Sequence, residues 1–104
     1  MITTIVEFEL AQPLSREQAR EIFLSTAPKY QGMAGLIRKY YFINREGTRS
    51  GGVYLWQSRQ DADRLYTDDW NAFVRGKYGV EPRVIYLETP VVVDNVINQV
   101  ITDD

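Results

Sequence analysis

The sequence predicts one α+β domain whose secondary-structure elements follow in the order β-α-β-β-α-β. Four short stretches have strand character, and two longer stretches between them carry apolar residues at helical spacing. A chain of 104 residues has the length of a single domain. This order is that of the ferredoxin-like fold, so we expect a four-stranded antiparallel sheet with both helices on one face.

The N-terminal part of the chain predicts a strand followed by a helix. Ile2 to Leu10 has the period of two that is typical of a half-buried strand. Ser15 precedes Gln18 by three residues, which is the spacing of a helix capping box. Pro28 should end or kink the helix. The apolar stripe of this helix comprises Ala19, Ile22, Phe23, Ala27 and Tyr30.

Two strands joined by a hairpin loop follow. Leu36 to Ile43 predicts the second strand, and Gly52 to Gln57 predicts the third. The polar segment Asn44 to Ser50 between them contains Gly47, as a hairpin loop should. In the second strand, alternation places Leu36, Arg38, Tyr40 and Phe42 on one face and Ile37, Lys39, Tyr41 and Ile43 on the other.

The second half of the domain predicts a helix and a last strand. Ser58 has capping-box spacing to Asp61, and the segment from 67 to 69 could start a new helix and split this one in two. Strand four is predicted from Val84 to Leu87, with an extension to Val93 left open. The helical stripe comprises Ala62, Leu65, Tyr66, Trp70, Phe73 and Val74.

We therefore expect residues 1–94 to form the domain and residues 95–104 to form a C-terminal tail. Because the strands carry large side chains on both faces, and the helices cover only one, a second sheet should cover the other. The simplest source is another copy of the chain in a homodimer. The apolar tail could be an arm across that interface, could fold back on its own subunit, or could fray. Which strand register faces the helices stays open.

Composition excludes several kinds of site and partner. The chain has no histidine and no cysteine, which removes Ser-His triads, thiolate chemistry and imidazole metal ligands. We expect no metal and no cofactor. A net charge of -2 argues against nucleic-acid binding. No apolar run reaches the ~20 residues of a membrane-spanning helix, so we expect no membrane contact and a cytoplasmic location.

Several of these segments resemble a known family. Gly35-Leu36, Lys39 beside an aromatic residue and the run from Gly51 to Trp56 (Gly-Gly-Val-Tyr-Leu-Trp) are similar to the YdhR-like monooxygenases. Ala62, Tyr66, Gly79-Val80 and Tyr86 extend the resemblance along most of the chain. It implies a dimeric α+β barrel, related to antibiotic-biosynthesis monooxygenases. It also implies cofactor-free oxygenation of phenolic, polyketide-like substrates in a pocket between the sheet and the helices.

The candidate site residues are aromatic side chains and one arginine. An apolar pocket with a few phenol and indole donors would suit a small aromatic ligand, and we expect Trp56 and Trp70 to form its walls. Arg38 could hold a phenolate or carboxylate, or could instead pair with Glu7, Glu9 or Glu88. The substrate-binding candidates are Arg38, Tyr40, Tyr54, Trp56, Tyr66, Trp70 and Tyr86.

No catalytic residue can be named from the sequence. One of the strand acids Glu7, Glu9 and Glu88 could serve as a base if a pocket buried it, because burial raises a carboxyl pKa. The first functional hypothesis is a cofactor-independent monooxygenase acting on a small aromatic or polyketide-type molecule. The alternative is a non-catalytic ligand-binding or stress-response barrel of the same fold.

Overall fold

The computed structural model describes residues 1–103 and confirms the α+β fold with its antiparallel four-stranded sheet. The strands lie in the order β2-β3-β1-β4, and the helices pack on one face. A separate two-stranded sheet pairs β5 with β6. The elements are β1 (Ile2–Glu9), α1 (Arg16–Tyr30), β2 (Leu36–Ile43), β3 (Arg49–Trp56), α2 (Arg59–Leu65), α3 (Asp68–Tyr78), β4 (Arg83–Glu88), β5 (Val91–Asp94) and β6 (Gln99–Thr102).

Helix α1 begins at the predicted capping box but does not end where we expected. The Ser15 hydroxyl accepts a hydrogen bond from the Gln18 amide, and the Gln18 side chain accepts one from the Ser15 amide. The helix continues through Pro28 to Tyr30, so Pro28 does not end it. Pro28 removes one amide donor from the last turn, but the Gln31 amide still closes the helix on the Ala27 carbonyl at 3.1 Å.

The predicted split of the second helical stretch is confirmed. Helix α2 ends at Leu65, and Thr67 starts α3 by accepting a hydrogen bond from the Trp70 amide at 3.3 Å. Helix α3 ends at Gly79, whose φ of 78° is a left-handed conformation that glycine adopts without steric cost. The break lets α2 and α3 each place a short apolar stripe against the sheet.

Pairing between strands settles which residues face the helices. Thr4 on the central strand β1 lies opposite Tyr54 of β3 and Tyr86 of β4 on the helix-facing side. Its neighbour Ile5 lies opposite Val53 and Ile85 on the outer side. The helix-facing register is therefore that of Tyr54 and Tyr86.

A bulge in β2 corrects one detail of the predicted alternation. The pairing register shifts between Leu36 and Arg38, so Leu36 lies opposite Trp56 on the helix side while Arg38 lies opposite Leu55 on the outer side. We had predicted both residues on one face. The extra residue Ile37 reverses the alternation for Leu36 alone. From Arg38 onward the prediction holds, and Tyr40 points outward while its neighbour Tyr41 points to the helices.

The C-terminal part of the chain forms a two-stranded hairpin of β5 and β6. Strand β4 stops at Glu88 rather than extending to Val93, and the hairpin of β5 and β6 begins four residues before the predicted tail. The Asp94 carboxylate accepts a hydrogen bond from Arg38 Nη2 at 2.6 Å and others from the amides of Val96 and Ile97. The exposed apolar side chains of the hairpin are Val91, Val93, Val96, Ile97 and Val100.

Within residues 1–103, no helix combines the length and the apolar character needed to cross a membrane.

Candidate active site

A cleft between the sheet and helices α1 and α3 has aromatic rings as more than half of its lining residues. Its floor comes from β1, β2 and β3, and its walls come from the two helices. The enclosed free space is small, about 30 Å³, so the rings lie close together. The aromatic lining residues are Phe8, Tyr30, Tyr41, Tyr54, Trp70, Phe73 and Tyr78.

One amine reaches this cleft, that of Lys39 from β2. Its Nζ lies 3.3 Å from the ring centroid of Tyr30, 3.8 Å from that of Tyr41 and 4.7 Å from that of Tyr54. Three ring faces therefore surround a single nitrogen, in the geometry of a cation–π cage. Among residues 1–103, no carboxylate forms an ion pair with it.

The side chain of Lys39 reaches the cage because residue 52 is a glycine. A Cβ atom at Gly52 would lie 3.1 Å from Lys39 Cε and 3.0 Å from a ring carbon of Tyr54. Such contacts are tighter than ordinary packing, so a larger residue would displace the lysine stem or the ring. The glycine lets the aliphatic stem of Lys39 pass over β3 and place its amine among the rings.

Burial sets the protonation of the titratable groups in the cleft. It lowers the pKa of Lys39 to about 7, because the apolar surroundings disfavour the charged ammonium. Burial raises the pKa of Tyr41, Tyr54 and Tyr78, because the same surroundings disfavour a phenolate. The tyrosines therefore stay neutral at pH 7, whereas Lys39 exchanges between its two forms.

Hydrogen bonds hold the walls of the cleft in place. Trp70 Nε1 donates to the Tyr30 hydroxyl at 3.1 Å, which joins α3 to α1. The Tyr41 hydroxyl lies 2.8 Å from Thr26 Oγ1, and its ring stacks on Phe23 at a centroid distance of 4.8 Å. The walls are therefore positioned before any ligand arrives.

An open groove next to the cleft provides a route into it. The groove has a volume of about 260 Å³ and lies beside the end of α1, lined by Gly32 and Leu36 among others. Tyr30, Lys39 and Tyr41 line both spaces, so these three side chains form the partition between them. Movement of the partition would join the groove to the cleft.

Of the predicted site residues, Tyr54 and Trp70 line the cleft. Trp56 is fully buried, and its indole Nε1 donates to Thr4 Oγ1 at 2.9 Å, so that indole has no free donor for a ligand. Tyr66 bonds to the same threonine oxygen. Tyr86 donates to Asp63 at 2.9 Å and does not line the cleft.

Arg38 and Tyr40 lie on the opposite face of the sheet from the cleft. Arg38 pairs with Asp94, which was not among the three glutamates that we considered as partners. The predicted acids do not reach the cleft either, since Glu7 pairs with Arg49 and none of the three lines it. Strand register is the cause, because residues 38 and 40 alternate with the cleft-lining 39 and 41.

Prediction from the sequence missed Lys39, Tyr30, Tyr41 and Tyr78 as lining residues. A lysine on a strand is ordinarily solvent-exposed, and nothing in the sequence marks Lys39 as buried. The one usable signal was the glycine pair Gly51-Gly52 on the neighbouring strand, which leaves room for a long side chain from β2.

The comparison with protein families now identifies the group to which the chain is related. The family described as "Putative mono-oxygenase ydhR" matches residues 4–80, which include β1 to α3 and every residue that lines the cleft. The chain belongs to this family. A comparison with curated protein sequences finds no match.

Solved structures with the same fold include oxygenases of antibiotic biosynthesis. A monooxygenase from the gene ActVA-Orf6 of Streptomyces coelicolor, in complex with nanaomycin D, superimposes with a TM-score of 0.64 at 16% identity over 85% of this chain and 86% of that one. The cofactor-independent oxygenase SnoaB of Streptomyces nogalater gives 0.63 at 12% identity, over 85% and 91%. Rv0793 of Mycobacterium tuberculosis gives 0.61 at 15% identity, over 85% and 93%. At these identities the likeness shows the fold.

Proposed function

We propose that this protein is a cofactor-independent monooxygenase that acts on a small aromatic or polyketide-type molecule bound in the cleft. The observation that carries the proposal is a cleft lined by seven aromatic rings, three of which surround one amine, so that the cleft offers planar apolar contact and one amine as a polar contact point. Membership of the family supports the reaction type. The fold shared with a cofactor-independent oxygenase supports the absence of a cofactor.

The proposed reaction uses molecular oxygen and an electron-rich ligand. A phenol or enol loses a proton, and the resulting anion supplies electrons to O₂. One oxygen atom then enters the ligand as a carbonyl, and the other leaves as water together with two hydrogens of the ligand. The contribution of the chain is to orient the planar ligand and exclude bulk water.

The cleft must widen to accept such a ligand. Sites for small organic ligands commonly have volumes of about 300–1,000 Å³, whereas the enclosed space here is about 30 Å³. The neighbouring groove of about 260 Å³ provides most of the missing volume. A ligand that occupied the groove would meet Lys39 and Tyr41 at the partition, with the ring lining of the cleft behind them.

We further propose that the protein is a homodimer that packs through the outer face of its sheet. One apolar row crosses all four strands on the face without helices. It consists of Tyr40, Val53, Ile5 and Ile85. Tyr40 is 56% exposed in the single chain, and a second copy related by a two-fold axis would bury the row.

Sedimentation tests this assembly. We expect the wild type to sediment as a dimer at micromolar concentration and Ile85→Glu to sediment as a monomer, because a charge on the apolar row would be buried without a partner. Leu24→Glu places the same charge on the exposed surface of α1 and should remain a dimer. A monomeric wild type would refute the proposal.

Oxygen uptake with anthrone-type and quinol substrates tests the function. Two neighbouring tyrosines provide a matched pair, because Tyr41 lines the cleft and Tyr40 lies on the outer face. We expect Tyr41→Leu to lower kcat/KM by about tenfold or more and Tyr40→Leu to leave it nearly unchanged. Stabilisation by these compounds without oxygen uptake would refute the oxygenase and favour the non-catalytic ligand-binding barrel.

A further inference from the structure

The amine of Lys39 lies among aromatic rings, although its side chain also borders the open groove. An ammonium group among apolar groups is costly unless an acidic group pairs with it, and among residues 1–103 none does. Cation–π contacts offset only part of this cost. Methionine or leucine would fill the same space at no electrostatic cost. An amine in apolar surroundings without an acidic partner is a candidate for a chemical role.

We propose that Lys39 is the base of this site, and that its neutral amine accepts the proton of an acidic hydroxyl group, a phenol or an enol, on a planar ligand bound in the cleft. This assignment adds a base to the proposed function, and it depends on that function only for the oxygenation that follows proton transfer. It also names the class of substrate, which is a compound whose acidic proton is on oxygen.

The proton transfer involves only the ligand and Lys39. The O–H bond of the ligand breaks, an N–H bond forms on Nζ, and the resulting ammonium pairs with the oxyanion. The faces of Tyr30, Tyr41 and Tyr54 stabilise the ammonium after the transfer. A carboxylic acid is already ionised at neutral pH, so it would offer Lys39 no proton to accept.

No other group that lines the cleft can perform this transfer. The titratable groups that face Lys39 from α1, β2 and β3 are Tyr30, Tyr41 and Tyr54, and α3 contributes Tyr78 to the lining. None of them is a carboxylate. The second amine in contact with a lining ring is that of Lys29, 4.4 Å from the centroid of Phe73. Lys29 does not itself line the cleft.

A spectroscopic experiment tests proton transfer without depending on oxygenation. The probe is 3-nitrophenol, which is mostly neutral in free solution at pH 7.5 and whose phenolate absorbs at longer wavelength than its neutral form. At pH 7.5, where Lys39 is largely a neutral amine, we expect the probe bound to the wild type to show phenolate absorption. The probe bound to Lys39→Met should show none, with binding followed separately by calorimetry. Equal phenolate absorption in the two proteins, a neutral probe on the wild type, or no binding at millimolar probe would overturn the proposal.

Kinetics distinguish a base from a fixed positive charge. The kcat of the wild type should rise with pH through about 7 as the amine of Lys39 loses its proton. Lys39→Met and Lys39→Arg should both lose about 10²-fold or more in kcat and lose this pH profile, because neither residue can accept a proton at these pH values. An active Lys39→Arg would show that only the charge matters and would refute the base.

A pair of glycine variants tests the position of the amine. Gly52→Ala places a Cβ atom 3.1 Å from Lys39 Cε and should lower both the phenolate signal and kcat. Gly76→Ala, in α3, meets nothing within 4 Å and should change neither. Phenolate formation at Lys39 without oxygen uptake would leave this inference standing and refute the proposed function. Oxygen uptake that survives in Lys39→Met would refute the role of Lys39 as the base and leave the proposed function standing.

Discussion

Replacement of Lys39 by methionine is expected to stabilise the protein at neutral pH and to remove one component of its pH dependence. Burial lowers the pKa of Lys39 from 10.5 to about 7 in the folded state. Below pH 7 the amine is protonated in both the folded and the unfolded chain, and the full cost of burying the charge applies. Between pH 7 and 10.5 only the unfolded chain keeps the proton. The free energy of unfolding therefore rises with pH in this window.

The size of this change in the free energy of unfolding follows from the lowered pKa of Lys39. One proton difference changes the free energy of unfolding by up to about 1.4 kcal/mol per pH unit. Between pH 7.5 and 9.5 the wild type should gain about 2 kcal/mol, after an allowance for the cation–π contacts that favour the ammonium. Lys39→Met should lack this gain. Because the chain has no histidine and no cysteine, few other groups titrate in the window.

Equilibrium unfolding in urea measures this difference. Trp56 and Trp70 are both buried, so their fluorescence should report the loss of the core. The two proteins should differ most at pH 7.5 and converge towards pH 9.5. The range stops there because the tyrosines begin to ionise above it. Parallel pH dependence of the wild type and Lys39→Met would refute the lowered pKa and, with it, the physical basis of the proposed base.

Three further predictions concern other parts of the fold. Thr4→Val should cost about 1–3 kcal/mol in urea unfolding, because it leaves the buried Trp56 indole N–H without an acceptor, whereas Thr4→Ser should retain that bond. Thr67→Ala removes the N-cap of α3 and should cost about 1 kcal/mol by the same measurement. The Arg38 hydrogen bond holds the pKa of Asp94 below 3.8. The hairpin contact should therefore persist above that pH and weaken as pH falls through the lowered value, as proteolysis of the wild type against Asp94→Asn would show.

The element order could be predicted because each helix and strand carries its own local pattern. The capping box at Ser15, the N-cap at Ser58 and the polar loop around Gly47 are signals of a few residues that do not depend on tertiary contacts. Pro28 misled us because the helix continues for two residues beyond it, with the Gln31 amide bonded to the Ala27 carbonyl. The split before α3 was visible because Thr67 is a strong capping residue.

The site could be predicted only in part, because its residues depend on register. A period of two shows that two faces exist but not which one the helices cover, so Tyr40 and Tyr41 were equivalent in the sequence. The bulge after Leu36 has no sequence signal that we recognised. Lys39 was missed for a different reason, since its burial results from the tyrosines of three separate elements and the missing side chain of Gly52.

The C-terminal hairpin has a consequence for local stability. Its two strands pair only with each other, and a two-stranded ribbon is marginally stable by itself. Val93 and Val100 lie opposite each other in it and are each 65% exposed, so little buried apolar surface protects its backbone amides. In the isolated chain these amides should exchange with deuterium well before those of β1, the central strand of the main sheet. Slower exchange at higher protein concentration would make the hairpin an internal reporter of subunit association.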